Sequence, residues 1–93
     1  MGNNQTERIP SHIVELMTLG QHLYSIEVVY RWGSEEKIER RRNLTEAELG
    51  KFRRNVLIGG MAFMVEPGHW KVVCPIDILT IDMYQQNGYF EEK

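Results

Sequence analysis

The side chains best suited to nucleophilic or metal chemistry in this chain are His12, His22, His69, Cys74, Asp77 and Asp82. A Cys–His pair needs the imidazole within proton-transfer reach of the thiol. His69 and Cys74 fall on one strand-like segment, five residues apart, which predicts opposite faces and a separation of about 16 Å. That spacing defeats direct proton transfer. His12 reads as the first turn of a helix, His22 as a strand entrance and His69 as part of a Pro-Gly-His-Trp turn, three exposed structural positions. A metal needs ligands at a fixed spacing, and the chain has no Cys-x-x-Cys, no His-x-x-x-His and no acidic calcium loop. Asp77 reads as the cap of a turn at Pro75. Gly59-Gly60 follows a helix instead of opening one, so it cannot offer helix-start amides to a phosphate. The chain is therefore expected to be no enzyme and to carry no metal or cofactor.

The elements that would position these residues are more legible. A polar start over residues 1–10 is expected to be frayed, and Ser11 to cap a short helix, His12–Leu19, stopped by Gly20. Tyr24, Ile26, Val28, Tyr30 and Trp32 alternate with Ser25, Glu27, Val29 and Arg31, the period of two of a strand. A turn at Gly33-Ser34 leads to a polar return strand, 36–42. A three-residue loop would set Ile38 opposite Tyr30 and Glu27 opposite Arg41, and is favoured because it puts Ile38 on the aromatic face. So polar a strand reads as a sheet edge. Thr45-Glu-Ala-Glu48 is a capping box, with Leu44 and Leu49 as its hydrophobic staple. Leu49, Phe52 and Val56 mark the buried stripe of the helix that follows, and Gly59-Gly60 its end.

Met61–Glu66 and Trp70–Cys74 read as a hairpin turning at Pro67-Gly68. Its even residues, Trp70, Val72 and Cys74, form the apolar phase of the return strand, so Cys74 is expected to be a buried, inert thiol. After Pro75 the phase becomes odd, which predicts a helical turn over 75–78 before a last strand, 79–84. The order is helix, strand, strand, helix, strand, strand, strand. It predicts an α+β fold of two layers: a mainly antiparallel sheet of about five strands covered by one main helix. One domain over 11–86 is expected, with a flexible tail over 87–93.

Charge points to partners. Lys37 to Arg54 holds seven of the eleven basic residues against three glutamates, a net +4, whereas residues 1–36 and 55–93 each carry −3. The surface expected to bind is Arg40, Arg41, Arg42, Lys51 and Arg54, steering toward an acidic protein, with Trp32 or Tyr30 as anchor. The same arginines give the alternative, a nucleic-acid accessory protein, although the pI near 5.9 and the lack of interleaved aromatics count against it. The last strand could pair across a twofold axis to form a homodimer. A single cysteine, no basic-then-apolar leader and no apolar run of about 18 residues imply a reducing cytoplasm and no membrane span. The basic and aromatic surface without a catalytic signature is expected to make the chain a small regulator, adaptor or inhibitor, and its size and element order resemble those of short bacterial and phage proteins.

Overall fold

The computed structural model describes residues 9–90. Within them lie helix α1 (Ser11–Thr18), strands β1 (Tyr24–Trp32) and β2 (Glu35–Leu44), and helix α2 (Glu46–Gly59). The hairpin β3 (Met61–Glu66) and β4 (His69–Val73), a 3-10 turn (Pro75–Asp77) and β5 (Ile78–Gln85) complete the order. The α+β expectation holds. The five strands divide into an antiparallel three-stranded sheet, β2-β1-β5, and a two-stranded β3-β4 ribbon. Among the described residues, no helix is long and apolar enough to cross a membrane. The expectations for residues 1–8 and 91–93 lie outside the described residues.

The core forms where the even residues of β1 meet α2 and the ribbon. Ile26, Val28 and Tyr30 are buried with Val56 of α2, Met61 of β3 and Val73 of β4, and Leu49 and Phe52 close the helix side. The alternation of β1 thus has one face in the core and one toward solvent, as an antiparallel sheet covered on one side requires. α2 starts as its sequence predicts. Thr45 Oγ1 accepts from the Glu48 amide at 3.2 Å while the Glu48 carboxylate accepts from the Thr45 amide at 2.9 Å. α1 differs slightly at its start, where Pro10 and not Ser11 is the cap residue, without a side-chain cap bond. Its end is a Schellman motif: Gly20, at φ 83°, donates to Met17 O and Gln21 to Leu16 O.

Two register expectations are overturned. The β1–β2 turn has two residues, Gly33 and Ser34, with Trp32 opposite Glu35 and Gly33 at φ 66°. A glycine at the first central position supplies the twist that such a tight hairpin needs. Ile38 consequently pairs with Val29 on the open face, 55% exposed, and Glu27 faces Arg40 instead of Arg41. Hairpin geometry outweighs the burial of one isoleucine. The β3–β4 ribbon also shows the opposite phase on its return strand. Met61 pairs with Val73 and Phe63 with Lys71, so the odd residues of β4 face inward and Trp70 and Val72 face solvent. Cys74, of the even set, is exposed, not buried.

Candidate functional site

The three consecutive arginines line one concavity of about 550 Å³ where β2 ends, α1 begins and α2 begins. His12 and Ile13 of α1, Asn43, Glu48 and Tyr89 complete its wall with Pro10. Three arginines on a strand would ordinarily be split between two faces. Here β2 is a sheet edge, and all three line the recess at its end. The β-bulge that sets Tyr24 opposite Leu44 and Ile26 opposite Arg41 re-aims the chain at this end. Asn43 sits in the bulge at φ 61°, a left-handed conformation that asparagine tolerates.

Each guanidinium has a local partner. Arg40 donates to Glu27 at 2.7 Å across the hairpin, and Arg41 to Glu39 at 2.8 Å on its own strand. Arg41 also stands 5.2 Å from the Phe52 ring centre, and Arg42 5.1 Å from that of Phe90. The arginine side chains in both ion pairs are about half exposed, at 46% and 52%, so solvent screens the pairing. Exposed pairs contribute only about 0.2–1 kcal/mol, less than a desolvated charge-assisted contact to an incoming carboxylate, about 1.5–3 kcal/mol. The pairs therefore orient the arginines without holding them against a partner.

The wall is held by a polar knot. Buried Gln86 accepts from the Asn43 amide at 2.8 Å and donates to Asn43 Oδ1 at 3.1 Å and to Gly88 O at 2.7 Å. Asn43 in turn donates to Phe90 O at 2.7 Å and accepts from the Phe90 amide at 2.8 Å. Residues 87–90 are thereby tied to the end of β2, which brings Tyr89 to the concavity and Phe90 under Arg42.

Other predicted contact residues lie elsewhere. Lys51 and Arg54 are exposed on α2, on the side away from Leu49, Phe52 and Val56, and do not line the concavity. Tyr30 is 5% exposed in the core, which corrects its assignment as a surface anchor. Trp32 is half-buried, edge-on to Tyr30 at 5.9 Å and to Phe63 at 5.7 Å, and the Lys71 ammonium stands 4.2 Å from its ring centre. Its ring is packed on one side by these contacts. His12, expected only at an exposed helical position, lines the recess, and Asn43 and Tyr89 join it from outside the predicted contact set. The tolerance of asparagine for left-handed backbone was a usable signal at Asn43, whereas Tyr89 reaches the wall only through long-range bonds.

His69 pairs with Glu66 at 3.4 Å on the far hairpin. Among the described residues, no three His, Cys, Asp or Glu side chains group closely enough to hold a metal ion. Comparison with known proteins finds no matching family model, no matching curated protein and no matching solved structure.

Proposed function

We propose that this chain is a small non-catalytic interaction module, a regulator, adaptor or inhibitor, that binds an acidic segment of a protein partner in the arginine-lined concavity. One observation carries the reading: Arg40, Arg41 and Arg42 line the same recess with His12 and Asn43, so several hydrogen-bond donors surround one space. Arginine suits carboxylates because its planar fork can bind them bidentately. Glu27 and Glu39 pair with two of these cations and Glu48 lines the recess, so the positive surface is short, which suits a short acidic segment better than a long run of phosphates. Lys51 and Arg54 contribute long-range attraction and Trp32 rigidity, not contact. A reducing cytoplasm, bacterial or that of a phage host, belongs to the same proposal, in keeping with a lone exposed thiol.

Fluorescence anisotropy with a labelled oligoglutamate peptide tests it, with duplex DNA as the second probe. The Arg40→Ala/Arg41→Ala/Arg42→Ala variant is expected to weaken peptide binding at least about tenfold, or about 1.4 kcal/mol. Lys51→Ala/Arg54→Ala is expected to change it far less. Equal binding by wild type and the triple variant would refute the site. Tighter binding of the duplex, with an affinity that falls as a steep power of salt, would favour a nucleic-acid protein instead.

A further inference from the structure

The three-stranded sheet has two free edges with contrasting chemistry. β2 carries seven charged side chains in ten residues, a normal defence against edge-to-edge pairing. β5, Ile-Leu-Thr-Ile-Asp-Met-Tyr-Gln, carries one. On the side away from β1 it has no strand neighbour among the described residues. An apolar groove runs beside that edge, lined by Leu57 of α2, Pro75, Leu79, Ile81 and Met83, with Arg53 at its rim. Leu57 is 56% exposed and Met83 43%. Among the described residues, fourteen large hydrophobic side chains are exposed and eight are buried. A protomer of this size has little stability to spare for leaving that surface wet.

We propose that two copies of this chain pair through β5, antiparallel about a twofold axis at Ile81, into one six-stranded sheet. Backbone donors and acceptors alternate along a strand, so the axis must pass through a residue pair and not between two residues. An axis at Asp82 would set two carboxylates directly opposite each other, which is destabilising. An axis at Thr80 would pair only residues 78–82 of the strand. The axis at Ile81 pairs 78–84 without a like-charge contact. It sets Ile81 against Ile81 of the second copy, and Met83 against Leu79 of the second copy, over the groove. On the open face it sets Thr80 against Asp82 of the second copy, where the hydroxyl can donate to the carboxylate. The β-bulge beside Val29 and Tyr30 falls at Leu79, so pairing about this axis is regular over Thr80–Asp82, and Leu79 meets Met83 of the second copy at the bulge. Leu57 of each copy is then carried toward the axis. β2 is the opposite edge, so the arginine concavities stay open and are duplicated.

The test is the molar mass by light scattering across a concentration series, on wild type and charge-exchange variants. Thr80 and Asp82 are both exposed on the open face and suit substitution. Wild type is expected to be dimeric. Thr80→Asp opposes two carboxylate pairs across the axis and is expected to weaken dimerisation at least about tenfold. Adding Asp82→Lys to Thr80→Asp recreates opposite charges across the axis and is expected to restore the dimer, which also requires the variant to be folded. Trp70→Lys, on the outer face of the β3–β4 ribbon, is expected to leave the mass unchanged. A monomeric wild type, failure of the double variant to regain the dimer, or dissociation by Trp70→Lys alone would each overturn the proposal.

Discussion

Replacing Gln86 by leucine removes three side-chain hydrogen bonds while keeping most of the side-chain volume: those with the Asn43 amide, Asn43 Oδ1 and Gly88 O. Gln86 is 4% exposed, so water cannot replace these partners cheaply. At about 0.5–1.5 kcal/mol for each bond, the loss comes to about 3 kcal/mol. For a domain of this size that lowers Tm by about 15 °C. Asn43→Gly separates side chain from backbone, because glycine accepts φ 61° freely and loses only the amide bonds to Gln86 and Phe90. Urea denaturation of both single variants and the double gives the coupling between the two side chains. A coupling of about 1–3 kcal/mol with unchanged m-values is expected. Additivity within about 0.3 kcal/mol, or a Gln86→Leu protein as stable as wild type, would refute the claim that this knot holds the wall of the concavity.

Burial, and then the nearby Glu39 carboxylate, push the Tyr30 phenol above its ordinary value. The unfolded chain therefore releases this proton first, and stability should be intact below about pH 10 and fall as pH rises beyond it. Urea midpoints across that range should show a smaller decline in Tyr30→Phe. Gly60→Ala should cost more than the ~1–2 kcal/mol of a left-handed alanine, because at φ 78° its Cβ would overlap the Val73 carbonyl oxygen. Gly50→Ala, in the middle of α2 with open space around it, should instead stabilise by about 0.5–1 kcal/mol. Thermal unfolding of the two variants checks both signs.

What the sequence made legible was local. The capping box at Thr45, the alternation of β1 and the helical turn at Pro75 are each specified by neighbours within a few residues, and each appears as read, although the even-to-odd phase change expected across Pro75 does not. The inward phase of β4 was not legible, because it follows from pairing parity with Met61 and Phe63 across the turn and not from the apolar residues of β4 itself. Ile38 misled for the same reason. One apolar residue on a charged strand weighs less than the twist matching of a two-residue turn. The candidate site was half visible. Three adjacent arginines could be seen in the chain, but the recess they share depends on a bulge and on bonds between residues more than forty positions apart. Summed charge along the chain also joined Lys51 and Arg54 to the arginines, although the helix turns them away.

Backbone and arginine side-chain NMR shifts, followed while an oligoglutamate peptide is titrated, report residue by residue whether the arginine recess takes an acidic segment. Saturable shifts confined to His12, Arg40–Asn43, Glu48 and Tyr89 are expected, with Lys51, Arg54 and Trp70 unmoved. Shifts centred on the outer surface of α2 or on the Trp70 face of the ribbon, with the concavity silent, would contradict binding there.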